Sequence, residues 1–408
     1  MGIEYRTTTL GNGLEVHAEC DSQAESAAVG IFVRTGARDE PSTIMGVSHF
    51  LEHMAFKGSA TRNAHEVNAG FDRIGARNNA FTSHEMTAYH AHVLPEHCSD
   101  ATALVFDLLR PALREEDFSS ERGVILEEIA MYDDNPNWVA YERANDAHYE
   151  GHPLGSRVLG TVSTINAMTV DQMRAYFTER YTPNSSALVG AGRIDFDAFV
   201  RQAEAESKHW SRSLVAREYP SHSPKRSSIT VPQSKATRAY MTLIWPSVAQ
   251  GDLRRYAAAI CGQILGDSEG SRLYWALVEP GIAVEASAGY QGRDRIGECV
   301  GSVVCSASDL ERAEAIFRSE CASLQDSVTV DDLDRARRKI ATGVALAGES
   351  PLTRMQRLGG LMAQTREYVP LEEELARINR LQLSDLREYL AAFPFDPVTR
   401  VCVVPAPC

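Results

Sequence analysis

The sequence predicts an α+β protein of two homologous halves, each an α/β sandwich with a mainly antiparallel sheet and helices packed on it, produced by internal duplication. Three observations lead there. Ile165–Phe177 aligns without a gap on Ile378–Leu390 at a constant offset of 213 residues (378 minus 165), with identities at Ile165/Ile378, Asn166/Asn379, Arg174/Arg387 and Tyr176/Tyr389. Each copy is followed by a proline-containing turn and an apolar strand, Ala187-Leu188-Val189-Gly190 in one and Arg400-Val401-Cys402-Val403 in the other. Between them Glu218–Ser228 is polar and rich in Pro and Ser, as linkers are. The expected domains are 1–217 and 231–408, joined by a linker at 218–230.

Along the first half, a hairpin is expected from Thr9-Leu10 to Val16-His17, because Asn12-Gly13 supplies the positive backbone angles of a tight turn. Ala27–Val33 reads as a strand and Gly36–Ser42 as a loop before a helix in the run Gly46–Phe56. A second helix spans Ala64–Ile74, and Phe81–Leu94 reads as one long strand region from the alternation of Thr82, His84, Met86 and Ala88. Helices dominate Ser99–Arg110 and Asp117–Ala147, with a break at Tyr132–Pro136.

Composition narrows the function classes. With 408 residues, 44% hydrophobic and 24% charged, the chain has the make-up of globular domains. A net charge of −14 argues against nucleic acid or an anionic membrane surface as partner, since both need a concentrated basic face. No run approaches a membrane span, Met1–Arg6 has no apolar signal core, and Arg6 spoils a myristoylation motif. The eight cysteines, at 20, 98, 261, 299, 305, 321, 402 and 408, show no CxxC pairing and are read as reduced thiols of a cytoplasmic protein.

The chemistry-bearing stretch is His49-Phe50-Leu51-Glu52-His53. Histidines four apart lie one turn above one another on a helix, so both imidazoles can face one cation, with Glu52 beside them. Neutral imidazoles suit zinc; zinc acidifies water, and a neighbouring carboxylate can take the proton during attack on a carbonyl. Two imidazoles and a carboxylate would also accept manganese or cobalt. A third protein ligand is needed, and Glu121–Tyr132 reads as a helix on which Glu121 and Glu128, seven apart, share a face that Glu127 leaves.

The inverted motif HxxEH, followed some 75 residues later by a glutamate in an ER-x5-E context, resembles the insulinase/pitrilysin (M16) family of zinc peptidases, in particular its short bacterial members and the mitochondrial processing peptidase β subunit. Phe56–Arg62 resembles the loop after the family's motif helix, and Gly75–Tyr89 its active-site edge strand. The resemblance implies His49, His53 and Glu128 as zinc ligands, Glu52 as general base and Glu121 as a supporting glutamate, all in the first domain. It also implies an extended substrate paired along Asn79, Ala80, Phe81 and Thr82, within a chamber between the halves. The expected activity is that of a zinc-dependent endopeptidase on unfolded peptides.

The second half departs from this pattern. The offset of 213 takes His49, Glu52, His53 and Glu128 to Gly262, Leu265, Gly266 and Ala341, so the metal site is expected in the first half only. Gly270–Tyr274 resembles the family's glycine-rich loop. Yet where many members carry Arg-x-Gly-Leu-Ala-Tyr, this chain has Glu279-Pro280-Gly281-Ile282-Ala283-Val284. The absent arginine and tyrosine imply weaker activity alone, or a homodimer or heterodimer with a related chain that supplies the pair. The rival reading is a non-catalytic homologous subunit or peptide-binding partner; an intact ligand set with its base argues against it. His84, His90, His92 and His97 lack an accompanying carboxylate or cysteine pattern and are read as hydrogen-bonding or titrating groups near the substrate groove. Asp133-Asp134, beside Asn135-Pro136, is read as helix-end solvation.

Overall fold

Two sheets organise the chain, and runs of small and apolar residues buried along their whole length, Ala27–Val33 and Ser186–Gly192, form central strands of the first. The computed structural model describes residues 2–213 and 215–407, so Cys408 lies outside the described residues. The first sheet contains β1 (Glu4–Thr9), β2 (Glu15–Cys20), β3 (Ala27–Val33), β4 (Arg77–Thr82), β5 (Thr87–Val93) and β6 (Ser186–Gly192), in the order β1-β2-β6-β3-β5-β4. The second contains β7 (Ser227–Gln233), β8 (Ala239–Ser247), β9 (Ala283–Arg293), β10 (Ile296–Cys305) and β11 (Thr399–Pro405), in the order β7-β11-β8-β10-β9.

Removing β1 from the first order leaves the second. Each sheet is antiparallel except for one parallel pair, and those pairs share a register: Glu15 pairs with Ala187 and Ser227 with Thr399, both 172 residues apart (187 minus 15, 399 minus 227). The fold is therefore the duplicated α+β sandwich that the sequence predicts.

The helices of the first half are α1 (Val47–Ala55), α2 (Ala64–Arg73), α3 (Cys98–Leu108), α4 (Glu115–Asp133), α5 (Pro136–His148), α6 (Val162–Ala167), α7 (Val170–Arg180) and α8 (Phe196–Ser207). Those of the second are α9 (Arg255–Gly266), α10 (Leu310–Ser327), α11 (Val330–Glu349), α12 (Pro351–Gln364), α13 (Leu371–Arg380) and α14 (Leu383–Ala392). None among the described residues is long and apolar enough to cross a membrane. The repeated signature occupies α6–α7 in one half and α13–α14 in the other.

Three details differ from the sequence reading. Phe81–Leu94 is not one strand: Ser83 breaks it, its N–H and Oγ both engaging the Met86 carbonyl, so β4 and β5 form a hairpin. The stretch 218–230 is not all linker, because Ser227–Thr230 pair with β11. The compact units are also not contiguous in sequence. Unit 1 comprises 1–129, 156–218 and 346–368; unit 2 comprises 130–155, 219–345 and 369–408.

The halves thus exchange helices. From the second half, α12 buries Met355, Leu358, Leu361 and Met362 on β3 and β6, and Gly359 admits the Phe32 ring, which an added Cβ would meet at 2.2 Å. From the first half, α5 packs Ala140 and Ala144 on β8 and β11.

Candidate active site

Helix α1 is fixed before its polar residues matter. Gly46 precedes it at φ 95°, where an added Cβ would lie 2.7 Å from the Leu159 carbonyl oxygen, so glycine is required there. The Glu40 carboxylate accepts the N–H groups of Gly46 (2.6 Å) and Ser48 (2.8 Å), satisfying donors that the first helical turn leaves unpaired. Val47, Phe50, Leu51 and Met54 bury one face at helical spacing. On α4, Phe118, Ile125 and Ile129 do the same, and the Phe50 and Phe118 rings stack with centroids 4.6 Å apart. That stack sets α1 against α4 with their polar residues facing.

His49, His53 and Glu128 come together there, with one ligating atom from each lying within 4.8 Å of the others. Glu128 Oε2 is 3.7 Å from His49 Nε2 and 3.5 Å from His53 Nε2. Donors around a tetrahedral zinc at about 2.05 Å sit about 3.3 Å apart, so the two carboxylate–imidazole distances need only a few tenths of an ångström of contraction to match. The donor set fits zinc. Among the described residues this is the only cluster of its kind.

The protonation pattern is set by the surroundings. His53 Nδ1–H donates to Glu121 Oε1 at 2.9 Å, leaving the Nε2 lone pair directed toward Glu128. Burial opposes a charge on His53, but Glu121, Glu128 and Glu52 outweigh it and raise its pKa. His49 is 8% exposed, and burial with the nearby His53 charge pushes it down to about 3, holding it neutral as a ligand must be. Glu121 is almost fully buried; burial favours its acid form, but the bonds from His53 and from Lys57 Nζ win and lower its pKa. Lys57 is a member of this chain that spacing alone did not single out.

Glu52 lies beside the cluster, and its carboxyl Oε2 accepts from Thr82 Oγ1 at 2.7 Å. Burial raises its pKa, partly countered by that bond and by His53. Thr82 ends β4, the terminal strand of its sheet, so the edge strand and Glu52 are directly joined. Along β4, Asn79 is exposed, Ala80 buried, and Phe81 and Thr82 half-buried. The other histidines lie apart from the cluster: His92 Nε2 bonds Ser26 Oγ at 2.8 Å, and His90 Nε2 meets Gln356 at 3.4 Å.

Comparisons with known proteins give the kinship of the chain. The insulinase (peptidase family M16) model matches residues 15–162, and the peptidase M16 inactive domain model matches 167–340. The uncharacterized zinc protease YmxG of Bacillus subtilis is 30% identical over 383 residues, covering 92% of both chains. An uncharacterized zinc protease of Streptomyces coelicolor is 31% identical over 395 residues, covering 94% of this chain and 85% of its own.

Among solved structures, a protease from Helicobacter pylori superposes with a TM-score of 0.91 at 19% identity, covering 99% of this chain and all of its own (100%). A peptidase M16 inactive domain from Pseudomonas fluorescens gives 0.92 at 17% identity, covering 100% and 99% respectively. At such identities these two structures speak to the fold, and the sequence matches carry the kinship. The chain belongs to the insulinase family of peptidases, M16.

Proposed function

We propose that this protein is a zinc-dependent endopeptidase that hydrolyses extended, unfolded peptides. The observation that carries the reading is the complete donor set His49, His53 and Glu128 beside a buried carboxylate, Glu52, that is tied to an edge strand. A zinc ion held by those three donors would supply Lewis acidity, polarising a peptide carbonyl and acidifying water.

The residues around it have separable tasks. Glu52 accepts the proton of the attacking water and delivers it to the leaving amine nitrogen; burial raises its pKa, which favours taking that proton up. Glu121, itself held by Lys57, fixes the ring plane and tautomer of His53. The free edge of β4 at Asn79–Thr82 pairs with substrate main chain, which gives affinity without demanding a sequence. Thr82 couples that strand to the base, so a peptide on the edge is presented to Glu52. A homodimer, or a heterodimer with a related chain, would supply the arginine and tyrosine lacking at Glu279–Val284. The scattered thiols, free at all seven described cysteines, suit a reducing compartment such as the cytoplasm.

The test is cleavage of a quenched fluorescent peptide library by the wild type and Glu52→Gln, with zinc content measured on both. Wild-type cleavage that falls by about 10²–10⁴ in the variant, with metal retained, is expected. Metal in both with cleavage in neither would identify a binding subunit or one that needs its partner. Absence of metal from both would refute the site.

A further inference from the structure

In unit 1, the outer side of β2 carries β1, antiparallel, whose last residue Thr9 lies opposite Glu15, the first residue of β2. In unit 2 the place of β2 is held by β7, parallel to β11 as β2 is to β6. No strand among the described residues pairs with its outer side. Ser227 N–H donates to the Val398 carbonyl and the Gln233 carbonyl accepts from Ala406 N–H, so alternate residues from Ser227 face β11. The main-chain groups of Ser228 and Thr230 therefore point outward, together with Pro232, which has no N–H to leave unpaired. Ser228, Ile229 and Thr230 are exposed. This edge can accept another strand.

What lies at its end identifies the occupant. An antiparallel segment added to β7, as β1 is added to β2, runs toward Ser227 and finishes at Arg226. There a cleft of about 580 Å³ is lined by Arg226, Ser228, Glu314, Arg318, Phe395 and Arg400, among others. Glu314 is shared between Arg400 (2.6 Å) and Arg318 (2.8 Å), while Arg226 makes a two-point contact with Asp396 at 2.6 and 2.5 Å.

Three guanidinium groups thus face two carboxylates in a chain of net charge −14. A guanidinium carries five N–H donors, more than these partners take up, and its fork matches a carboxylate. A second, apolar hollow of about 260 Å³ adjoins, lined by Trp245, Leu265, Leu390 and Phe393, and shares Phe395 and Asp396 with the cleft.

We propose that the β7 edge of unit 2 docks the C-terminal end of an extended peptide, its free α-carboxylate held by Arg226, Arg318 and Arg400 and an apolar last side chain entering the adjoining hollow. Main-chain pairing supplies affinity, and the carboxylate fixes the register. The site is distinct from the zinc cluster and does not depend on its activity.

The experiment is fluorescence anisotropy with an N-terminally labelled peptide ending in leucine, as free acid and as amide, added to the full chain in EDTA, with hydrogen exchange followed in parallel. The acid is expected to bind about tenfold tighter than the amide. The preference should shrink toward unity in Arg226→Gln/Arg318→Gln, and the acid should slow exchange at Ser228 and Thr230 in the wild type. A peptide ending in lysine should bind more weakly. Equal binding of acid and amide, or a preference without protection of β7, would overturn the proposal, the latter whether or not the double variant folds. Binding at the β4 edge would show instead as protection of Asn79–Thr82 without carboxylate preference.

Discussion

Unit 1 and unit 2 share strand order and register, yet differ where a helix faces the terminal strand of the sheet. On α1 the motif residues are His49, Glu52 and His53, and Glu52 reaches Thr82 of β4 through a side-chain hydrogen bond. At the repeat offset α9 carries Gly262, Leu265 and Gly266, and it packs on β9 through main chain. A Cβ on Gly266 would lie 1.9 Å from Ala288 N, and one on Gly262 would lie 3.2 Å from Gly289 Cα. The donor cluster of unit 1 needs room for imidazoles beside α1, where they meet Glu128 of α4. Unit 2 has closed that room with backbone contact, so it lacks space as well as ligands, and restoring histidines there would break the packing rather than rebuild a site.

What the units keep in common is structural. Tyr176 Oη bonds Ser48 (2.9 Å) and Thr35 (3.1 Å); its repeat counterpart Tyr389 bonds Ser247 (2.7 Å) and Cys299 (3.4 Å). Both hydroxyls are buried ties within their own unit.

Substitutions in the two units test this contrast. Gly266→Ala should destabilise unit 2 by about 3 kcal/mol, read by chemical denaturation, because the new methyl meets backbone that cannot swing aside. Peptide cleavage below the transition should persist; an undiminished midpoint would mean that α9 and β9 are not in close contact.

A change of similar size concerns acid. His148 is buried in unit 2, and burial, with His222 and Arg293 nearby, holds it down to about 4. A histidine depressed in the fold stabilises above its unfolded value of about 6.5 and loses that contribution as pH falls toward 4. Unit 2 should therefore lose up to about 3 kcal/mol across that window, and His148→Gln should flatten this part of the stability profile.

Glu121→Gln should weaken zinc binding by about 10–100-fold in a chelator competition, since the residue orients His53. Unchanged affinity would make Glu121 a packing residue. The smallest expected effect is shared: Tyr176→Phe and Tyr389→Phe should each cost about 1 kcal/mol. A large asymmetry between them would end the view of the tyrosine as a common framework element.

Much of the site was readable because its information is local. Histidines at 49 and 53 on one helix, and Glu121 and Glu128 seven apart on another, share faces by the helical period alone. Other parts depend on distant packing. Lys57 reaches Glu121, and Thr82 reaches Glu52, only because α1, α4 and the β4–β5 hairpin are assembled together. The strand alternation through Thr82–Ala88 could not reveal that Ser83 turns the chain back, since a short turn preserves the period-two pattern on both sides of it.

The duplication, the α+β class, the motif helix and the glutamates that share a face all follow from periodicity and composition along contiguous residues. Which sheet each amphipathic helix covers depends instead on packing between distant segments. The apolar faces of α5 and α12 suit any sheet of the right width, and hydrophobic burial has no direction, so their exchange between the two halves is set by shape and by contacts such as Gly359 against Phe32.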